Sequence, residues 1–348
     1  MPYRATDGPP VVPPGPSPVD LHSHTRRSDG LLEPAVLVAA AAAARVELLA
    51  ITDHDTLAGV RELLAGVPAR VVGVGEPATG VATASLRLLP GVEINAVAQG
   101  VERLWEGELH VLGLGVDPAD DAFEAALASQ RAARERRAAA IVARLRELGM
   151  PVEAALERVP RPEGAAVGRP HLARALVEAG HAASVDDAMQ RLLARGRPAY
   201  LPREGLGPAA AIAAIRAAGG LPVLAHFAEA VERHGLVEEL RERGLGGLEV
   251  HYRHFDAATV AGLASLAAAL RLVPTGGSDY HGDVESYAEA HAALWVPAAD
   301  GEAVLGALGR ASAVRIGAAE GAVPGLAAAP PEQPPTGAAV PADNAGQP

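Results

Sequence analysis

The sequence of 348 residues contains no cysteine. Without cysteine neither a disulfide bond nor a thiolate metal site can form, so any metal would be held by imidazole and carboxylate groups. These ligands suit zinc, manganese and iron, and they do not by themselves distinguish between the three metals.

Long apolar runs are also missing. No stretch of about 18 apolar residues is free of charges or helix-breaking residues, and the N-terminus is rich in proline without the basic and apolar regions of a signal peptide. We therefore expect neither a membrane span nor a secretory signal, and the cytoplasm is the expected location.

Basic charge is in short supply as well, since 30 Lys+Arg residues stand against 42 Asp+Glu residues and the formal net charge is −12. General binding of nucleic acid depends on a basic surface that neutralises phosphates. The sequence therefore argues against a general nucleic-acid-binding surface. Binding of only the short anionic end of a substrate, in a cationic pocket that contains metal ions, is compatible with this net charge.

Apolar residues are plentiful, at 49% of the chain, which is enough for a large core in one barrel-sized domain with an insertion. The two ends differ from the rest. Residues 1–17 and 327–348 are rich in proline and in glycine or alanine, and we predict that both are disordered. A segment near Gly73 to Ser85, rich in Gly, Ala and Thr, is predicted to be a flexible loop.

Between the ends, strand-like runs alternate with alanine-rich helical runs, a pattern that predicts a parallel α/β architecture. The alternation stops between residues 117 and 203, where three helical stretches follow one another, including one from Asp120 to Leu148. We predict an α/β domain made of residues 18–116 and 204–326, with residues 117–203 as an inserted helical subdomain.

The segment 20–30 is the most informative part of the chain. It reads Asp-Leu-His-Ser-His-Thr-Arg-Arg-Ser-Asp-Gly and follows an apolar run. Residues two apart in a strand share a face, so His22 and His24 can direct both imidazoles toward one ion. Other short apolar runs also carry acids or histidines at their ends. These residues are Asp53, His54, Asp55, Glu93, His110, His226, Asp279 and His281.

The motifs and their order resemble the PHP family, which is named for polymerase and histidinol phosphatase. The specific parts are the Asp-x-His-x-His-Thr-x-x-Ser-Asp-Gly start, the Thr-Asp-His-Asp turn, Pro-Gly-Val-Glu and Gly-Gly-Ser-Asp-x-His-Gly, and the match spans roughly residues 19–282. The resemblance implies an α/β fold, a distorted (β/α)7 barrel whose helical insertion overhangs the active site. Active sites of α/β barrels lie at the carboxyl ends of the strands.

The resemblance also implies a site for three divalent metal ions, with Mn²⁺ as the expected metal and Zn²⁺ or Fe²⁺ as alternatives. The first ion would be held by His22, His24, Glu93 and Asp279. Glu93 would bridge to a second ion, held also by His110 and His226. The third ion would take Asp29, His54 and His281. The implied nucleophile is a hydroxide that bridges metal ions. Glu93, His22 and His24 would hold it through the ions that they bind.

Three acids adjoin these ligands in the sequence. Asp20, Asp53 and Asp55 are predicted to orient the ligand imidazoles, because metal-binding histidines usually donate their second N–H group to a carboxylate or carbonyl.

Four further residues are predicted to contact the substrate. Arg137 lies in an arginine-rich helix and Arg169 in a Gly-Arg-Pro-His segment, and a guanidinium group suits bidentate phosphate binding. Phe227 stands where the family commonly has proline, and an aromatic ring there could form a pocket wall or stack on a base. His251 follows a predicted strand and is expected to line the pocket.

The helical insertion, followed by Gly-Gly-Leu-Pro-Val-Leu-Ala-His, resembles the family branch that acts on nucleoside 3′,5′-bisphosphates and on short 5′-phosphorylated RNA. The resemblance therefore implies a phosphatase or exonuclease with a nucleotide or an RNA 5′ end as substrate. Two alternatives stay open: a small-molecule phosphatase of the histidinol phosphatase type, and a non-catalytic scaffold module. The complete set of nine ligands argues against the scaffold.

Overall fold

The structure is a computed structural model. It describes residues 15–66, 70–71, 86–97, 101, 105, 107–159, 167–282, 284, 286–309 and 314–316. Most of the two predicted disordered ends, and the predicted flexible loop near 73–85, lie outside the described residues.

The described chain alternates strands with helices, as the sequence predicts. The strands are β1 (Val19–Asp20), β2 (Leu48–Ile51), β3 (Arg70–Val71), β4 (Leu86–Val97), β5 (Glu108–Leu114), β6 (Leu221–Leu224), β7 (Gly247–Tyr252), β8 (Val273–Gly277) and β9 (Val314–Ile316). The helices are α1 (Pro34–Ala43), α2 (Ala58–Gly66), α3 (Asp121–Glu147), α4 (Glu153–Leu156), α5 (Arg169–Glu178), α6 (Val185–Ala188), α7 (Pro208–Ala217), α8 (His234–Glu242), α9 (Ala257–Leu270), α10 (Tyr287–Ala292) and α11 (Ala298–Ala307). A π-helical turn, Met189–Leu193, follows α6.

Seven strands form a nearly closed barrel in the order β1-β2-β4-β5-β6-β7-β8, which confirms the predicted fold class. The last strand returns to the first through main-chain hydrogen bonds, from Leu21 N to Gly276 O (3.0 Å) and from Asp279 N to His22 O (2.7 Å). The short strands β3 and β9 pair with each other, and β9 also pairs with β4. Closure brings the first and last motifs of the sequence side by side.

One strand runs against the direction that the sequence predicts. Strand β5 is antiparallel to both of its neighbours, β4 and β6, whereas the other barrel pairs are parallel. His110 is the third residue of β5 and therefore lies near the start of its strand rather than at the end. The reversal still brings His110 to the rim where the parallel strands end, because an antiparallel strand starts where its neighbours finish.

Both faces of the barrel sheet are buried. Leu48, Leu89 and Leu112 come from three different strands and belong to one apolar cluster. Leu49 and Leu88, which alternate with them, belong to a second cluster that includes residues of α1 and α2. Burial on both faces is typical of strands covered by crossover helices, and it explains the nearly continuous apolar runs in the sequence.

Helix α3 joins the barrel to the helical segment. Asp120 caps its N-terminus by accepting a hydrogen bond from Phe123 N (2.8 Å), close to the predicted start. Phe123 and Leu127 belong to a barrel core cluster, whereas Ile141 and Leu145 belong to a separate cluster with residues of α4, α5 and α6. The middle of α3 therefore lies between two cores, above the barrel rim.

In the described part of the chain, no helix has both the length and the apolar character that crossing a membrane requires.

Candidate metal centre

The structure brings all nine predicted ligands together in three groups that share members. The first group is His22, His24, Glu93 and Asp279; the second is Glu93, His110 and His226; the third is His24, Asp29, His54 and His281. Within each group the candidate ligand atoms lie within 4.8 Å of one another. The grouping agrees with the one implied by the family resemblance, with His24 as an added member of the third group.

Glu93 lies at the centre of the cluster and is fully buried. Its Oε1 atom is 2.6 Å from His110 Nδ1 and 3.2 Å from His226 Nε2. Its Oε2 atom is 3.0 Å from His54 Nδ1 and 3.2 Å from His24 Nε2. One carboxylate thus has an oxygen in each of two neighbouring groups, which is the arrangement that a bridging ligand needs.

The residues present fit divalent cations. Five buried atoms of the cluster have no hydrogen-bond partner among the described residues, namely His24 Nδ1, Asp29 Oδ1, His54 Nδ1, Glu93 Oε2 and Asp279 Oδ1. Ring nitrogens also face each other, His22 Nε2 with His24 Nε2 at 3.2 Å and His110 Nδ1 with His226 Nε2 at 3.1 Å. Buried polar atoms without partners are costly, and a shared cation would satisfy imidazole and carboxylate groups alike.

The charges of the cluster favour cations. Burial acts to lower the pKa of His22, but the carboxylates of Asp279, Glu249 and Glu93 outweigh it and hold that pKa well above its usual value. Burial alone would raise the pKa of Asp29, and the neighbouring imidazoles of His54 and His281 instead hold it well below its usual range. The site therefore attracts positive charge, as protons or as metal ions.

Two of the predicted ligands have an unusual backbone. His226 has φ of 32° and Asp279 has φ of 49°, and Asp55, beside His54, has φ of 53°. Positive φ is uncommon for residues other than glycine, and such strain collects at functional sites where the surrounding structure enforces it.

Sequence reasoning missed residues that contact ligands, and Glu249 and Tyr252 are two of them. The buried carboxylate of Glu249 is 3.1 Å from His22 Nδ1 and accepts a hydrogen bond from His226 N at 2.6 Å. The hydroxyl of Tyr252 donates to Asp279 Oδ2 at 2.9 Å. Glu249 is a lone acid inside the apolar strand β7, and that unusual position is the signal that could have identified it.

The three acids predicted to orient imidazoles have a different role. Asp20 accepts hydrogen bonds from the main-chain N of His22 (3.3 Å) and Ser278 (2.9 Å) and from the hydroxyl of Tyr287 (2.6 Å). It thereby holds the main chains of the first and last motifs together.

Asp53 and Asp55 also bind groups other than imidazoles. Asp53 accepts from the main-chain N and the hydroxyl of Thr25, both at 2.7 Å, and from Ser28 Oγ at 2.8 Å. Asp55 pairs with Arg134 of α3. Neither carboxylate hydrogen-bonds the ring of His54, because both side chains are engaged by loop 25–28 or by α3.

A cavity of about 280 Å³ extends from the ligand cluster to the helical segment. Its wall includes Asp29, His54 and His110 on the barrel side. Five of its lining residues are arginines: Arg27, Arg131, Arg134, Arg169 and Arg203. The cavity therefore joins the predicted metal site to a cationic wall.

Of the two predicted phosphate-binding arginines, the structure places one at this cavity. Arg169 lines it and lies 3.4 Å from Glu108 Oε1. Arg137 is buried, donates through Nε to Leu201 O at 2.8 Å and lies over the ring of Tyr200. It is not among the residues that line the cavity.

Glu108 anchors the cationic wall. Its carboxylate is 3.0 Å from Arg203 Nε as well as close to Arg169. Burial would raise its pKa, but these two arginines lower it to about 2. Burial and the charge of Arg134 lower the pKa of Arg203 to about 10, as expected where cations crowd together.

The structure places His251 and Phe227 away from the residues that line the cavity. His251 is 3.0 Å from Asp300 of α11 and does not line the cavity, because a register shift between Glu249 and His251 changes the side-chain alternation of β7. Phe227 is buried in the apolar core, with its ring 4.8 Å from that of Trp105. It neither lines the cavity nor is open to a base.

Comparison with known proteins identifies relatives with related chemistry. The chain is 38% identical over 294 residues to the 5′-3′ exoribonuclease Rnm of Salmonella typhimurium, covering 80% of this chain and 90% of the relative. It is 31% identical over 269 residues to a 3′,5′-nucleoside bisphosphate phosphatase of Chromobacterium violaceum, covering 76% and 87%. No family model matches the chain.

A solved structure shares the fold. The crystal structure of a Bifidobacterium adolescentis protein described as a metal-dependent phosphoesterase superposes with a TM-score of 0.64 at 30% identity, covering 82% of this chain and 94% of that one. The barrel and the imidazole and carboxylate cluster define a metal-dependent phosphoesterase, an enzyme of the hydrolase class. The chain belongs to the PHP family.

Proposed function

We propose that this enzyme hydrolyses phosphate esters of nucleotides, acting as a 3′,5′-nucleoside bisphosphate phosphatase, as a 5′-3′ exoribonuclease on short 5′-phosphorylated RNA, or as both. The observation that carries the proposal is the cavity whose wall joins predicted ligands of the second and third groups, Asp29, His54 and His110, to five arginines. Metal ligands alone would suit many hydrolases, but the adjoining cationic wall favours a substrate with more than one negative charge.

The three groups would hold three divalent cations, and Mn²⁺ is the proposed metal. His22, His24 and Asp279 would hold the first ion, His110 and His226 the second, and Asp29, His54 and His281 the third, with Glu93 shared by the first two. Such ions act as Lewis acids on phosphoryl oxygens and lower the pKa of bound water to about 7.

The residues of the chain bind and orient the substrate around this centre. Arg169 and Arg203 lie on the cavity wall, and each shares the single carboxylate of Glu108. Two cations held by one anion retain a net positive charge, which a substrate phosphate would neutralise. Arg134 is held by Asp55, next to His54, so the cationic wall and the ligand cluster have a fixed relative position.

The relatives support this choice of substrates over a histidinol phosphatase type. One is an exoribonuclease and another a nucleoside bisphosphate phosphatase. Both reactions have the same chemistry, because water attacks phosphorus and a ribose oxygen leaves. The predicted cytoplasmic location stays a prediction.

The test is release of phosphate or nucleotide by the purified, manganese-loaded protein. The substrates are adenosine 3′,5′-bisphosphate, a 5′-phosphorylated oligoribonucleotide and histidinol phosphate. We expect turnover of the bisphosphate or the RNA to exceed that of histidinol phosphate. Activity on histidinol phosphate alone would contradict the proposed substrates.

Alanine variants of two predicted ligands, with an alanine variant of a distant histidine as the control, test the assignment of the metal centre. His24→Ala removes a member of two ligand groups and should abolish hydrolysis without unfolding the protein, and Glu93→Ala should do the same. His181→Ala removes an exposed imidazole that lies 3.1 Å from Pro151 O and should leave hydrolysis unchanged. Full activity in either of the first two variants would overturn the metal assignment.

A further inference from the structure

Two arginines of the cavity wall, Arg131 and Arg134, bind the turn that follows a predicted ligand. Arg131 Nη1 donates to the main-chain oxygen of Asp55 at 2.8 Å, and Arg134 pairs with the carboxylate of the same residue. Both arginines belong to α3, where residues at this spacing share one face of the helix. Because Asp55 directly follows His54, α3 is fixed to the chain beside the third ligand group.

The backbone of this turn needs support from its surroundings. Asp55 has φ of 53°, in the left-handed region, where a residue other than glycine is strained and persists only when the surrounding structure enforces it. On the barrel side, Asp55 N donates to Glu93 O at 2.9 Å. On the other side, α3 binds its main-chain oxygen and its carboxylate. These contacts from two directions fix the main chain that carries the imidazole of His54.

A second layer of contacts orients Arg131. Its Nη2 atom donates to Glu124 Oε1 at 2.6 Å, and the other oxygen of that carboxylate accepts from Arg61 Nη1 at 2.6 Å. Arg61 belongs to α2, the helix after the turn, and its Nε donates to Pro118 O at 2.8 Å. One carboxylate therefore joins α2 to α3 on the outer side of the turn. Glu124 lies outside the set of described residues that line the cavity.

Two other arginines of the cavity wall are held differently. Arg169 and Arg203 lie 3.4 Å and 3.0 Å from the same oxygen of Glu108. Two guanidinium groups have more N–H donors than one shared carboxylate can accept from, so both keep donors for a phosphate group. In Arg131, by contrast, both terminal nitrogens already donate to protein oxygens.

We propose that Arg131 and Arg134 are positioning residues, through which α3 holds His54 in place in the third ligand group. Their guanidinium groups serve the turn, and recognition of the substrate anion is left to Arg169 and Arg203. Cation binding by the third group then depends on a helix that comes from outside the barrel strands. The inference rests on the proposed metal centre, but it does not depend on which phosphate ester the enzyme hydrolyses.

Two substitutions of the same type separate the two kinds of arginine. Arg131→Met and Arg169→Met each remove one guanidinium group from the wall of the same cavity and leave an unbranched apolar side chain. Calorimetry measures Mn²⁺ binding to the metal-free protein and, in a separate titration, sulfate binding to the metal-free protein. Neither titration involves turnover.

The two variants should lose different ligands. In Arg131→Met, one class of Mn²⁺ site should bind about 10-fold or more weakly, as expected when the support of a ligand imidazole is removed, and the isotherm should match that of His54→Ala. Arg169→Met should bind Mn²⁺ as the wild type does and sulfate more weakly. Arg136→Met, at an exposed position of the same helix, is the control and should change neither titration.

A double-mutant cycle with His54→Ala distinguishes positioning from general loosening of the site. If Arg131 acts through His54, Arg131→Met should have no further effect on Mn²⁺ binding in protein that already lacks this imidazole. General loosening would weaken every class of Mn²⁺ site, and the effects of the two substitutions would add. Additive effects, or wild-type Mn²⁺ binding by Arg131→Met, would overturn the proposal.

Glu124→Ala tests the same support from outside the cavity. It removes the carboxylate that orients Arg131 and leaves every arginine of the wall in place. We expect weaker Mn²⁺ binding at the same class of site, by a smaller factor than in Arg131→Met, with wild-type sulfate binding. If Arg131→Met does not fold, this variant decides, because wild-type Mn²⁺ binding by Glu124→Ala would then contradict the proposal.

Arg134 is tested together with its partner, because removing the cation alone would leave a buried carboxylate without its pair. The double variant Asp55→Asn with Arg134→Met removes the ion pair and keeps a side chain that tolerates positive φ. It should weaken the same class of Mn²⁺ site. Wild-type Mn²⁺ binding by this double variant would show that Arg134 has no positioning role.

Failure of the proposed metal centre has a different signature. Wild-type Mn²⁺ binding by His54→Ala would show that the third group holds no cation, and the positioning role would fall with it. Weaker binding by His54→Ala together with wild-type binding by Arg131→Met would leave the metal centre in place and contradict only the role given to α3.

Discussion

At the residue scale, the position of Glu249 shows how one buried acid supports two ligands. Its two oxygens bind different elements, the ring of His22 and the main chain of His226. The first contact sets the ring orientation of His22, and the second stabilises the positive φ of His226. Carboxylates in this position raise the basicity of the ligand imidazole and fix its tautomer.

Substitution Glu249→Gln should therefore weaken the metal centre. The amide of glutamine can accept from only one of the two N–H groups and directs a donor at the other. We expect metal affinity and kcat/KM to fall roughly 10- to 100-fold, measured by metal titration and by hydrolysis of the bisphosphate. His251→Ala, on the same strand but paired with Asp300, is the control and should behave as the wild type. Wild-type metal binding by Glu249→Gln would contradict the role given to Glu249.

His281 predicts how metal binding depends on pH. Burial acts to lower its pKa, but Asp29 and Asp279 outweigh burial and raise it to about 10 in the metal-free protein. At neutral pH this imidazole is protonated, and a cation must displace the proton before it can bind.

Apparent Mn²⁺ affinity should therefore rise with pH from 6 to 9, by about tenfold per pH unit for each proton released. Calorimetry in buffers of different ionisation enthalpy counts those protons, and His281→Ala should release fewer. An affinity that does not change with pH would show that the ligands are unprotonated before the metal arrives.

At the scale of elements, the closure of the barrel depends on the close approach of β8 to β1. A Cβ atom on Gly277 would lie 2.3 Å from both the main-chain N and the Cβ of His22. No φ strain is involved, because Gly277 has an ordinary backbone conformation. The glycine of this motif is needed because two strands pack backbone to backbone beside a ligand.

The variant Gly277→Ala should lose about 3 kcal/mol of unfolding free energy, since the added methyl meets main-chain atoms that cannot move aside. Urea unfolding measures this loss. Gly306→Ala, in helix α11 with nothing within 4 Å of its new Cβ, should instead gain about 0.5 to 1 kcal/mol from helix propensity. Equal stability of the two variants would contradict the close packing of β8 against β1.

At the scale of the whole molecule, we propose that residues 117–203 form a helical subdomain on the barrel. The supporting observation is the separate apolar cluster, whose buried members run from Ile141 to Ala199. Phe123 and Leu127 of the same segment pack with the barrel, so α3 is the shared element.

Leu145→Ala tests that division. Leu145 is fully buried in the helical cluster, and its truncation should cost about 2 to 5 kcal/mol. We expect faster hydrogen exchange within the helical segment and unchanged metal binding by the barrel. Leu112→Ala, in a barrel cluster, should instead raise exchange in the strands and weaken metal binding. Faster exchange throughout the barrel of Leu145→Ala would show one cooperative unit.

The sequence by itself determined the chemistry of the centre. Histidines and acids stand at the ends of apolar runs, and the alternation of strands and helices brings the ends of strands to one rim. Seven of the nine predicted ligands lie in the four short motifs, which can be recognised locally because a strand end and the loop after it are defined by the nearest residues. The α/β architecture was predictable for the same reason, and the family resemblance implied the barrel.

Only the tertiary structure decided the direction of β5, the bulge in β7 and the partners of the ligands. Strand direction and register depend on hydrogen bonds between segments far apart in the chain, and a shift of one residue exchanges the faces. For this reason His251 faces α11, whereas Glu249 faces the metal centre. Arg134 and Arg203 reach the cavity wall in the same way, because isolated residues on two segments have no common pattern until folding brings them together.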